Sequence, residues 1–284
     1  MKIGISAMNT PEGLRPDLLA REVEARGLES LWFGEHSHIP VNGPPYPGGG
    51  PLPEPYKRMQ DLFVSLTAAA MATTVLRLGS SVALPLERDV FNMAKAVATL
   101  DLLSGGRVLM GVGVGWNAAE LANHSPVPWP QRYRALRETV AALRALWRED
   151  QPSFHGEHVR FDAVWSYPKP VQPGGPPILL GAARKLGVAH AAEWADGWMP
   201  IDVEYPDFSK GMARIAEACR AAGRDPAALP VTVVCFRRAS ADSLARLRDL
   251  GVARAICALG IDHDPGPDEA RRELDRLAAL KDGL

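Results

Sequence analysis

Cysteine is scarce in this chain of 284 residues, which contains only Cys219, Cys235 and Cys257. None stands in a CxxC spacing or beside regularly placed metal ligands, so neither a disulfide scaffold nor a zinc site is indicated. The three read as small buried hydrophobes in a reducing compartment. A surplus of either charge is also missing, since 32 Lys and Arg residues face 33 Asp and Glu, for a formal net charge of -1. That balance provides no basic footprint for nucleic acid or for an anionic membrane surface. Long apolar runs are absent too. Ile3 to Met8 is far too short for a secretory leader, and the other apolar stretches are broken by arginine or glycine. A membrane span is therefore not expected, and a cytoplasmic location is the default.

Short β-branched or apolar runs alternate with longer amphipathic stretches from end to end. Eight runs read as strands: Lys2 to Ala7, Ser30 to Phe33, Leu76 to Ala83, Arg107 to Gly113, Ile178 to Leu180, Gly197 to Ile201, Val231 to Phe236 and Ala253 to Ala258. Nearly all are followed by a helical pattern, such as Phe91, Ala94, Val97 and Leu100 at helical spacing. Ser104-Gly105-Gly106 and Gly27 are stop signals after two of these helices. Strands with little alternation fit a parallel sheet buried on both faces. Eight such repeats fit a closed (β/α)8 barrel better than an open doubly wound sheet, as one domain over residues 1–284. Phe154 to Phe161 reads as a small hairpin outside the repeat. Pro40 to Pro55, with Pro44-Pro45 and Pro47-Gly48-Gly49-Gly50, cannot be helix or central strand and reads as a long loop. A loop of that length in a compact domain suggests a lid or binding element.

A barrel places functional residues just beyond the C-terminal ends of its strands. After the second strand these are Glu35, His36, Ser37 and His38. A metal site would need a third ligand beside His36 and His38, and alternation would turn Glu35 away from both. No HExxH or GxSxG is present, so neither a helical zinc site nor an esterase-type serine is signalled. The GxGxG run from Gly111 to Gly115 lacks the further spacing of a dinucleotide fingerprint. Its physical content is a strand end bare enough for a flat ring to approach. Gly181-Ala182-Ala183-Arg184 opens a helix directly after a strand, where backbone amides and the helix dipole favour an anion. Arg184 either adds a charged donor there or faces solvent.

These segments together resemble the bacterial luciferase-like family, and within it the oxidoreductases that use the deazaflavin coenzyme F420. The resemblance is carried by Gly27-Leu28-Glu29-Ser30-Leu31-Trp32-Phe33-Gly34-Glu35-His36-Ser37-His38-Ile39-Pro40 and by Leu76-Arg77-Leu78-Gly79-Ser80-Ser81-Val82. It continues in Ala98 to Arg107, in Gly111-Val112-Gly113-Val114-Gly115-Trp116-Asn117, in Tyr167 to Gln172 and in Ala195 to Pro200, and fades beyond residue 201.

The resemblance implies a TIM barrel with an insertion after strand 4 and a tricyclic coenzyme across the C-terminal mouth. It implies Glu35, His36 and Asn117 at the reacting centre. Ser80, Ser81 and Val82 would lie behind the ring at a non-proline cis peptide, and Gly113, Trp116 and Asn117 would form the wall. Gly181, Ala182, Ala183 and Arg184 would hold the phosphate, although Ala182 and Arg184 stand where the family commonly has a glycine and a serine. The implied reaction is hydride transfer between F420 and a small organic substrate, in a homodimer. The alternatives are an FMN-dependent monooxygenase and a non-catalytic flavin-binding barrel.

Overall fold

The computed structural model describes residues 1–284. Its main sheet is made of β1 (Lys2–Ala7), β2 (Ser30–Phe33), β3 (Arg77–Ala83), β4 (Val108–Val112), β7 (Ile178–Leu180), β8 (Gly197–Trp198), β9 (Thr232–Cys235) and β10 (Arg254–Ala258). All neighbours in this sheet pair in parallel, in the order β8-β7-β4-β3-β2-β1-β10-β9. Parallel bridges Trp198↔Val231 and Ile201↔Val234 then join the two end strands and close the barrel. The eight strands expected from the sequence are the eight that form it.

The helices α1 (Pro16–Ala25), α2 (Leu62–Ala72), α3 (Val90–Ser104), α5 (Arg132–Arg148), α6 (Lys185–Trp194), α7 (Phe208–Ala221), α8 (Ala241–Asp249) and α9 (Pro267–Asp282) surround the sheet. Their starts are set by local chemistry. Asp61 accepts from the amides of Phe63 and Val64, Asp89 accepts from Asn92, and Ser240 forms a reciprocal capping box with Ser243. At the end of α3, Gly105 adopts φ 66° and its amide closes on the carbonyls of Asp101 and Leu102, as the stop signal there predicts. Between β4 and β7 lie a short helix, α4 (Ala118–His124), and a two-stranded hairpin, β5 (Phe154–His155) with β6 (Arg160–Phe161). The hairpin follows the sequence pattern. Helix α4 does not, because seven residues are too few for a readable period.

Two apolar clusters divide the core. The larger, of 61 residues, fills the space between barrel and helices and includes Cys219, Cys235 and Cys257. The smaller lies inside the barrel and consists of Trp32, Leu109, Leu179, Met199, Val234 and Ile256. One indole dominates it. A Cβ on Gly79 would sit 2.0 Å from the Trp32 ring, so the neighbouring strand must carry glycine for the indole to fit. The buried Trp32 N–H is satisfied by Ser30 Oγ at 2.7 Å. This layer forms a solid floor and confines open space to the C-terminal mouth. No helix is long and apolar enough to cross a membrane.

Candidate functional site

A cavity of about 500 Å³ opens at that mouth, within the ~300–1,000 Å³ typical of ligand sites. Met199 and Val234 form its base. Its walls come from the segments after β1, β2, β3, β4 and β7, including His36, Val82, Gly113, Trp116 and Gly181 to Arg184. A second cavity of about 760 Å³, beyond β9 and β10, is lined by charges that are largely paired with one another, such as Glu273 with Arg276 and Arg238, and His263 with Glu269. It has neither the glycine-bare wall nor the convergent polar groups of the first.

His36 follows the end of β2 and is the most constrained polar group in the mouth. Its Nδ1 lies 2.6 Å from Oε2 of Glu120, and its Nε2 accepts the indole N–H of Trp116 at 3.1 Å. Indole is only a donor, so Nε2 carries no proton and Nδ1 carries the single one, donated to Glu120. Neither side chain is open to solvent, with 6% of the His36 side chain and 1% of the Glu120 side chain exposed. The Glu120 carboxylate also accepts the Ser37 amide at 3.2 Å, so its charge is held by two N–H donors.

Aromatic rings enclose this pair. Tyr56 and Trp116 lie with centroids 5.5 and 5.6 Å from the imidazole. Tyr46, from the proline- and glycine-rich loop, packs edge-on against Trp116, and its hydroxyl meets that of Tyr56 at 3.3 Å. Burial, helped by the Tyr46 hydroxyl, raises the Tyr56 phenol and keeps it protonated. The long loop therefore covers the His36 side of the mouth, the position the sequence suggested for a lid.

Glu35 points elsewhere. Its carboxylate accepts the Leu84 amide at 2.7 Å and pairs with Arg88, which also binds Asp61 at 2.8 Å. Burial pushes the Glu35 carboxyl up, against the pull of Arg88. Its contacts tie the end of β2 to the turn after β3 instead of to His36.

Behind the middle of the cavity, the Ser81-Val82 peptide is cis, and the β3–β4 register is irregular between Ser80 and Ala83. Ser80 is fully buried below the cavity, its hydroxyl donated to the Gly111 carbonyl at 2.7 Å. Ser81 and Val82 line the cavity. Val82 stands between two bare backbones, because a Cβ on Gly113 would lie 2.7 Å from its Cγ2 and one on Gly181 2.8 Å from its Cγ1. Together these residues make a low, apolar ridge with open space above it, suited to the face of a flat ring.

The far end is polar. Helix α6 begins at Lys185 with no side-chain cap, so its first-turn amides are free for an anion. The preceding turn is fixed by its carbonyls: Trp198 Nε1 binds the Ala182 carbonyl at 2.7 Å and Tyr205 Oη binds that of Ala183. Arg184 is exposed at this lip. Arg132 joins it, stacked 4.1 Å over Trp129, and its buried Nε has no partner. The observed features thus fit a ring with an anionic tail: a glycine-bordered ridge, an uncapped helix start and two guanidinium groups. No group of three or more His, Cys, Asp or Glu side chains is arranged to hold a metal ion.

Asn117 does not line the cavity. It caps α4, accepting from the amides of Ala119 and Glu120 at 3.1 and 3.2 Å, and its buried Nδ2 is unpartnered beside Gly43 of the covering loop. The sequence reading did not single out Glu120, Tyr56 or Arg132. One of them had a signal: Asn117 followed three residues later by Glu120 is a helix-start pattern, and it would have placed the acid on the first turn of α4. Tyr56 comes from a short turn (Glu54–Lys57) and Arg132 from the first residue of α5, neither within a motif, and only folding brings them to His36 and Arg184.

With this geometry in view, the chain's relationships are clear. Residues 15–279 match the family described as luciferase-like monooxygenase, and the chain belongs to it. It is an oxidoreductase of that class. It is 39% identical over 285 residues to an uncharacterised protein of Mycobacterium tuberculosis, covering 98% of both chains. It is 28% identical to the F420-dependent hydroxymycolic acid dehydrogenase of the same species, over 95% of this chain and 71% of that one. Among solved structures it is similar to an F420-dependent secondary alcohol dehydrogenase in complex with an F420-acetone adduct, with TM-score 0.78, 19% identity, and coverage of 98% and 97%. At that identity the likeness concerns the fold.

Proposed function

We propose that this protein transfers a hydride between coenzyme F420 and a small organic substrate bearing a hydroxyl or carbonyl oxygen. The observation that carries this reading is one continuous cavity that joins the His36–Glu120 pair, the Val82 ridge, and the uncapped start of α6 flanked by Arg132 and Arg184. The relative named as an F420-dependent dehydrogenase supports the choice of coenzyme.

The deazaflavin supplies the carbon that accepts or gives the hydride. The protein supplies position and proton control. Val82, with Gly113 and Gly181 beside it, supports the ring, while the α6 amides with Arg132 and Arg184 hold the phosphate. The Tyr46–Tyr56–Trp116 cover keeps water from the reacting atoms. His36 presents a lone pair at Nε2, shared in the resting protein with the Trp116 N–H. A substrate hydroxyl that replaces the indole as donor is placed for proton loss to this nitrogen.

Purified protein titrated with F420 and, separately, with reduced and oxidised FMN tests the reading. Binding of F420 without oxygen uptake supports it. Oxygen consumption with reduced FMN would establish a monooxygenase instead, and binding of neither would leave a barrel without this activity.

We also propose that the protein acts as a homodimer through the outer face of α2 and α3. Val64 and Met71, which lie on one side of α2, are 70% and 66% exposed, and Leu102 and Leu103 of α3 are about half exposed.

A further inference from the structure

Behind Glu120 lies a second carboxyl that the sequence does not single out. Glu87 belongs to the turn between β3 and α3 (Pro85–Glu87). It is 8% exposed, and its Oε2 meets no N–H or hydroxyl donor. Its turn packs against α4, the helix whose first turn carries Glu120, and the two carboxyls are close enough to repel one another. An ionised carboxylate only accepts, so two such groups facing each other out of water would repel. A single proton between them removes the repulsion and satisfies the orphaned oxygen.

The rest of the surroundings decides which carboxyl holds it. Glu120 already accepts from His36 Nδ1 and from the Ser37 amide, and both interactions favour the charged form. Glu87 has no such donors. Arg88, its neighbour in sequence, is committed to Glu35 and Asp61. The other charges near this turn are Glu35 itself, which repels a second negative charge, and the His38–His124 pair beyond Glu120. Helix α5 also packs on the turn; the residues it buries fully are uncharged, and its Arg132 is stacked over Trp129.

We propose that Glu87 and Glu120 hold one proton between them directly behind His36, and that this pair takes up a second when His36 removes a proton from the substrate. The inference rests on the hydride-transfer reading given above. For oxidation of an alcohol, the substrate O–H bond breaks and an N–H bond forms at Nε2. The Nδ1–H bond breaks in turn, and an O–H bond forms on Glu120. The C–H electron pair leaves with its hydrogen as hydride to oxidised F420. Imidazole ends neutral in its other tautomer and both carboxyls end protonated, so no imidazolium remains in the closed mouth. Reduction of a carbonyl runs the same transfers in reverse. Glu87 touches no reacting atom in this scheme and is a positioning residue. Consistent with it, burial, reinforced by Glu120 and Glu35, pushes the Glu87 carboxyl up to about 8.

The test uses the protein without coenzyme, so that it can fail independently of the F420 reading. Infrared difference spectra with isotope-labelled glutamate should show a protonated carboxyl at neutral pH that disappears near pH 8. Glu87→Gln, which keeps shape and a donor toward Glu120, should lose that signal while retaining the far-ultraviolet spectrum of the wild type. Glu120→Gln should shift the signal to lower pH, because the repelling charge is gone. In turnover, Glu87→Gln should lower kcat by tenfold or more with KM little changed, and Glu87→Asp should recover part of the loss. No protonated carboxyl in the wild type at neutral pH, or a signal undiminished in Glu87→Gln, would overturn the proposal. If Glu87→Gln fails to fold, the wild-type spectrum and Glu120→Gln still decide it.

Discussion

The Val82 ridge gives a quantitative test of how the wall of the mouth is built. Gly113→Ala would place a methyl 2.7 Å from Val82 Cγ2, where carbon atoms normally stand ~3.5–4.0 Å apart. Val82 must therefore retreat by roughly 1 Å. It has little room to do so, since its β-branched side chain is stiff and its other methyl faces Gly181. Gly113 has no positive φ, so the substitution acts through crowding alone. Overpacking of this kind costs about 1–3 kcal/mol. For a domain of this size that lowers Tm by roughly 2–4 °C per kcal/mol. The same movement drives Val82 into the cavity and should weaken binding of the coenzyme proposed for it. Val82→Ala alone should cost about 1 kcal/mol for the methyl groups it removes. The double variant Gly113→Ala with Val82→Ala deletes the clashing atom and should be more stable than Gly113→Ala alone. Urea denaturation of the four proteins completes the cycle. Destabilisations that simply add would refute the ridge.

Three further outcomes follow from the same structure. Trp116→Phe keeps the ring but removes the only N–H on His36 Nε2; nitrogen-15 NMR should show the Nδ1–H tautomer population fall. An unchanged spectrum would mean that Glu120 alone sets it. At the base of the barrel, Glu29 is half-buried, which would raise its carboxyl, but the bidentate pair with Arg254 at 2.6 and 2.7 Å outweighs this and holds it below 4.5. Its contribution is thus full above pH 4.5 and lost as pH falls through the lowered folded value. The stability gap between wild type and Glu29→Gln, about 2–4 kcal/mol near neutrality, should shrink in acid; a gap independent of pH would exclude the ion pair as its source. Finally, Val64→Glu with Met71→Glu should give a monomer by light scattering while retaining the circular dichroism of the parent. A dimer that survives both changes would place the interface elsewhere.

Much of the mouth was legible because a barrel turns chain order into position. Once eight strands are counted, the residue after each strand end is known to face the mouth, and His36, Val82, Gly113 and Gly181 follow. Side-chain direction was harder. Ser80 and Val82 lie two residues apart on one strand, yet an irregular register separates them, leaving Ser80 below the cavity and Val82 lining it. Asn117 was placed correctly along the chain, but its side chain is taken up in starting α4. The group it positions, Glu120, proved to be the partner of His36.

The sequence by itself determined the barrel, its family and the strand ends that carry the site, because periodicity, glycine placement and helix stops are local properties written residue by residue. It also marked the loop that covers the His36 side of the mouth, since proline and glycine exclude regular structure there. What only the tertiary structure decided was the state of the chemistry at His36. Its tautomer depends on Trp116 and Glu120, 80 and 84 residues away, and the proton behind it on Glu87. Such protonation is set by burial and by the distances among groups from separate segments of the chain, and neither quantity exists until the barrel has closed.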